Sequence, residues 1–146
     1  MQNSVQEASE LQQLIPHGPG MCMLDKVEYW DQQTISCTST SHRRAENPLL
    51  ENGVLNTVIL IEYGAQAAAV HAGLIHSALG NAARPAFIGA VKDVQLYAQI
   101  VDPAQEVLTV NARVMLNDAG GAVYTFSVGD GERVIIRGRL SVIQQK

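Results

Sequence analysis

The chain has 146 residues, enough for one domain with a real core, and 1–146 reads as a single domain without a linker. Lys+Arg 10 against Asp+Glu 14 leaves a net charge of -4, which disfavours nucleic acid and anionic lipid as partners of the surface as a whole. Cys22 and Cys37 make neither a disulfide framework nor a spaced metal set, and the four histidines add no ligand spacing, so no metal and no cofactor is expected.

Residues 1–8 are polar and expected to be loose, with no positive stretch ahead of an apolar core; a secretory signal is not read here, and a reducing cytoplasm is the expected compartment. Ser9 to Ile15 fits a short capped helical turn that Pro16 ends. In IPHGPGMCMLDKV, Pro16, Gly18, Pro19 and Gly20 force irregular backbone ahead of Met21, Met23, Leu24 and Val27. Val27 to Ser41 favours strand, folded as a hairpin at Asp31-Gln32-Gln33, and His42 to Glu51 is a polar connection.

Asn52 to Leu74 is too long an apolar run for a strand and predicts a helix, with Asn52 as its cap and Gly73 loosening its last turn. Between Gly53 and Ala83 its one formal charge is Glu62. A membrane span is rejected because Asn56, Glu62, Gln66 and His71 are costly at bilayer depth. A helix apolar on every face must then be wrapped by protein. Pro85 to Asp102 predicts a long strand in which Gly89 marks a bulge or a close backbone approach. Val107–Leu116, Ala122–Val128 and Arg133–Ile143 follow as strands separated by turns at 117–121 and 129–131. In the last of them Val134, Ile136, Leu140 and Val142 alternate with Arg133, Arg137, Arg139 and Ser141, the mark of a half-buried antiparallel sheet. The class is α+β, a sheet curled around one helix, and its open edges make a two-fold dimer the expected assembly.

A carboxylate in that helix has two readings. Glu62 is either satisfied by neighbouring donors as part of the core or held as a reactive group, and Gln66, one turn on, projects on the same side.

Three segments bear on the choice. Gly53-Val54-Leu55 with Glu62 and Ala65-Gln66 is similar to the central-helix motif of the hotdog-fold β-hydroxyacyl-(acyl carrier protein) dehydratases. IPHGPGMCMLDKV resembles that family's Pro-His loop, and FIGAVKDVQL its Phe-x-Gly strand. The runs HGPGMCMLD, NPL and IEYGAQAAAVHAGL most resemble the aryl-polyene biosynthesis branch.

The resemblance implies a hotdog fold that removes water from a 3-hydroxyacyl thioester on acyl carrier protein, in a homodimer or a heterodimer with another hotdog chain. It gives Glu62 the acid role at the departing hydroxyl. The family's usual histidine is missing from its place, which counting back from Glu62 puts at Pro48. His17 and His42 are then the candidate bases, with His17 favoured because Pro and Gly fix its loop. The backbone N–H of Gly89 is the expected oxyanion donor. Gln66, Met21, Met23 and Tyr63 are expected along the substrate, His71 in packing or capping and His76 at the surface. Arg43, Arg44, Arg84 and Lys92 are expected to form the patch for an acidic carrier. A thioesterase of the same fold, and a non-catalytic hotdog subunit supporting a dehydratase partner, are the alternatives.

Overall fold

The computed structural model describes residues 6–7, 21–80, 86–118 and 120–144. Its elements are β1 (Gln6–Glu7), β2 (Lys26–Trp30), β3 (Thr34–Ser39), α1 (Leu60–Ala78), β4 (Ala86–Leu96), β5 (Leu108–Asp118), β6 (Gly121–Gly129) and β7 (Val134–Gln144). All the strands join one antiparallel sheet in the order β1-β2-β3-β5-β6-β7-β4, and α1 packs on β3, β4, β5, β6 and β7. The expected wrapped helix is therefore the architecture found.

Local chemistry explains the first hairpin. Asp31 Oδ1 accepts the backbone N–H groups of Gln33 and Thr34, each at 2.8 Å, so the turn falls at the predicted Asp-Gln-Gln. The predicted alternation in β7 also holds, with Ile136, Leu140 and Val142 buried and Arg137 and Arg139 exposed. Gly89 lies at a register shift between Ile88 and Ala90, as a bulge requires.

The helix ends differ from the sequence expectation. Asn52 (φ 53) and Gly53 (φ 77) turn the chain through left-handed backbone inside a Glu51–Val54 bridge, so Asn52 caps no helix. The Leu55 carbonyl and the Thr57 N–H are then pinned to Val101 and Gln99, at 2.9 and 3.0 Å. Only after a 3-10 turn at Thr57–Ile59 does α1 begin, at Leu60. At the other end α1 runs through Gly73 to Ala78 and stops at Gly80 (φ 83), whose N–H reaches the Ser77 carbonyl at 2.9 Å.

Apolar surface on all sides of α1 meets protein. The stretch Thr57–Ala78 has the length and composition of a membrane-crossing helix, and 67% of its most apolar part is buried against the rest of the fold. Gly64 permits the closest approach: a Cβ there would fall 2.4 Å from Cδ2 of Phe126 on β6. Gln6 and Glu7, expected to be loose, pair with Val27 and Lys26 instead. The predicted turn at 9–15 and the Pro-His loop at 16–20 lie outside the described residues.

Candidate active site

Glu62 occupies the first turn of α1 and is half-buried. Its placement there is favourable, because the unpaired N–H groups of a helix start attract negative charge. Gln66, one turn on, is 2% exposed and contacts it directly. The Gln66 Oε1 accepts the N–H of Met23 at 2.8 Å, while its Nε2 donates to the carbonyl of Met21 at 2.7 Å and to Glu62 Oε2 at 2.9 Å. A backbone N–H only donates and a carbonyl only accepts, so the orientation of this amide is fixed. Gln66 can therefore offer Glu62 nothing but an N–H. Oε2 is held as an acceptor by this contact.

The same Met23 is gripped from its other side. Ser39 Oγ donates to the Met23 carbonyl at 2.5 Å, which uses its one proton; it then accepts from Ser41 Oγ at 2.7 Å. Ser41 Oγ in turn accepts the Tyr63 hydroxyl at 2.7 Å, and Asn47 Nδ2 donates to that hydroxyl at 3.3 Å. Ser39, Ser41, Asn47 and Tyr63 are all buried. Burial also pushes the Tyr63 phenol above its ordinary pKa, keeping it a donor. A one-way chain of hydroxyls thus ties the loop ahead of α1 to the strap that touches Gln66. Asp25 fastens the same loop from outside, taking the N–H and hydroxyl of Thr40 at 2.7 Å each and pairing with Arg44.

The remaining expectations divide. Tyr63 and Gln66 are buried, with their polar atoms engaged by protein. Met23 is likewise core, whereas Met21 is only partly buried. Gly89 sits on the exposed edge strand β4; a Cβ there would meet Ile143 and Ser141 of β7 at 2.7 and 2.9 Å. His17 and Arg84 lie outside the described residues. Arg44 is committed to Asp25, so the expected basic patch does not form around it.

His42 is buried and donates Nε2–H to the Gln105 carbonyl at 2.6 Å, which leaves Nδ1 as a lone pair without a partner among the described residues. Desolvation lowers its pKa, with the Gln105 contact acting weakly the other way, so the ring is neutral near pH 7. It lines a cavity of about 480 Å³ together with Arg43, Asn47, Leu50 and Pro103.

His71 is a packing residue, as expected. Its ring lies edge-on to Tyr124, with Nε2 donating to the Asp31 carbonyl at 2.7 Å and Nδ1 accepting the Tyr124 hydroxyl at 2.6 Å. His76 departs from expectation: it is half-buried in the last turn of α1, with a buried Nε2.

Burial holds the His71 pKa below the ordinary 6.5, the Asp31 carbonyl opposing this in part. The unfolded chain therefore takes up a proton first as pH falls. Stability contributed by neutral His71 is present above about pH 6.5 and is lost as pH drops through the folded value, at no more than about 1.4 kcal/mol per pH unit for this histidine. His42 acts in the same direction. Denaturant unfolding between pH 7.5 and 5.5 should show this decline, and His71→Gln should flatten it; a His71 ring that titrates by NMR at or above 6.5 would contradict the account.

An antiparallel sheet closed around one long central helix, with a clamped carboxylate in the first helical turn, places the molecule in the hotdog class. More narrowly, the chain belongs to the ApeP-like dehydratase family, whose model, described as ApeP dehydratase, matches residues 9–146. No curated protein sequence matches it significantly. Among solved structures, a chain of the dehydratase heterocomplex ApeI:P from Xenorhabdus doucetiae superposes with a TM-score of 0.84 at 22% identity, over 93% of this chain and 91% of that one. AziG from S. sahachiroi gives 0.63 at 17% identity, over 82% and 90%. A thioesterase from Haemophilus influenzae gives 0.68 at 9% identity, over 99% and 94%. At these identities the superpositions speak for the fold.

Proposed function

We propose that the chain places Glu62 in the dehydration of a 3-hydroxyacyl thioester carried on acyl carrier protein, giving the trans-2-enoyl thioester in aryl-polyene or fatty-acid type biosynthesis. The observation that carries this reading is the Gln66 clamp, which fixes a half-buried carboxyl in the first turn of α1 by holding its Oε2 as an acceptor. A base withdraws the α-proton, and the electron pair moves into the C2–C3 bond through an enolate. The C3–O bond then breaks as Glu62 gives its proton to the hydroxyl, which leaves as water. The proton on the base returns to Glu62 to complete the cycle. The backbone N–H of Gly89 serves the enolate oxygen.

His17 is the favoured base, because the strap that begins four residues after it at Met21 is held against Gln66. His42 is the competitor: neutral, oriented by a carbonyl, but committed to the Gln105 side of its own cavity. A second chain completes the assembly. Among the described residues one edge of β4 is unpaired, and Phe87, Ile88, Val91 and Leu96 on it are exposed apolar residues. The heterocomplex named for the ApeI:P structure supports another hotdog chain as the partner, and the exposed apolar residues of β4 make this edge the place we assign to it.

Mass spectrometry of the chain, alone and with a second hotdog chain, after incubation with 3-hydroxyacyl carrier protein should record loss of water from the acyl group. His17→Ala should reduce that loss far more than His42→Ala. Release of the free acid would instead identify a thioesterase. Turnover that needs the partner and is indifferent to Glu62 would make this chain a supporting subunit.

A further inference from the structure

The face of the sheet turned away from α1 carries a shallow trough of about 900 Å³, with Arg113, Arg137 and Arg139 among its lining residues. Strand register arranges its charges in rows. Arg113, Thr125, Arg139 and Lys92 are successive cross-strand neighbours on β5, β6, β7 and β4, and in the next row Ser127, Arg137 and Gln95 are. Neighbouring strands lie about 5 Å apart, so the four cations fall within a patch roughly 15 Å across. A chain of net charge -4 thus gathers four of its 10 Lys and Arg on one face.

Among the described residues, little neutralises them. Asp93 is the acidic residue among those lining the trough; it stands 3.6 Å from Arg139, with both side chains more than half exposed, and such pairs hold weakly. Arg137 lies over the Tyr97 ring at 5.8 Å and Arg113 touches Gln33 at 3.4 Å. A guanidinium has five N–H donors, so most remain for an acceptor from outside. A second copy meeting this face through itself would set arginine against arginine, which like charge forbids.

The trough also leads to the right end of the fold. Tyr97, beside Arg137, donates its N–H to Ile135 at 2.8 Å; two residues on, the Gln99 carbonyl holds Thr57, which opens the turn into α1. The outer-face arginines are thus linked through the segment from Tyr97 to Gln99 to the turn that opens α1.

We infer that this outer face, through Arg113, Arg137, Arg139 and Lys92, docks the acidic surface of the acyl carrier protein. This rests on the dehydratase reading of Glu62 and moves the docking site away from Arg43 and Arg44. The test uses purified holo-acyl carrier protein and the protein with its hotdog partner. The double variant Arg113→Glu, Arg137→Glu should weaken carrier binding at least tenfold and flatten its salt dependence, with turnover of a small N-acetylcysteamine thioester unchanged. Arg113→Gln, Arg137→Gln should show a smaller loss of the same kind. Unchanged carrier affinity in the charge-reversed protein would overturn the inference, as would a wild type that does not bind the carrier, or an Arg43→Glu variant that alone abolishes binding. Should the wild type bind the carrier but dehydrate neither substrate, the dehydratase reading fails and the affinity comparison still decides the docking face.

Discussion

Glu62→Gln is expected to lower kcat for dehydration on the order of 100-fold or more while leaving the fold intact. The magnitude is that of a positioned acid removed from a proton-transfer step. Folding survives because the new amide can turn its carbonyl toward Gln66 and keep accepting the N–H now bonded at 2.9 Å. An amide has no acidic proton to give to the departing hydroxyl. Substrate affinity should change little, because the loss falls on an interaction that matters at the transition state. Steady-state kinetics with a thermal melt on the same preparation checks both halves. A variant that melts early yet dehydrates at the wild-type rate would assign Glu62 to the core.

Several of these features are legible in the sequence because they are local. The β7 alternation, the Asp31 turn and the pairing of Glu62 with Gln66 across one helical turn each follow from spacing along one element. The start of α1 is not legible, since Leu55 and Thr57 are held out of the helix by backbone contacts to Val101 and Gln99, more than forty residues away in the chain. The site divides in the same way. Gln66 looks like a substrate contact until its partners are known, and those partners, Met21 and Met23, are 45 and 43 residues distant. Ser39 and Ser41 read as ordinary strand and loop polarity; only the fold brings them to Tyr63. The arginines of β7 are visible as an outward row, but their alignment with Arg113 depends on the β5–β6–β7 register, which no single strand encodes.

Gln66→Leu should produce the second large effect, on stability and catalysis together. Leucine keeps most of the volume but leaves the Met23 N–H without its partner in a buried setting; such an orphan costs about 1–3 kcal/mol, while the partly buried Met21 carbonyl finds water more readily. A loss of about 2 kcal/mol is therefore expected in denaturant unfolding. The catalytic loss has a separate origin. Without the N–H on Oε2 the Glu62 carboxyl loses the contact that fixes that oxygen, and misplacement by about 1 Å can cost up to roughly 100-fold in rate. Gln66→Glu separates the two contributions. At neutral pH it sets a second carboxylate against Glu62, and on acidification a shared proton restores one donor between them. Its kcat should recover in part as pH falls toward 5, where that of Gln66→Leu should not. Identical pH profiles for the two variants would mean that Gln66 only fills space and does not position the Glu62 carboxyl.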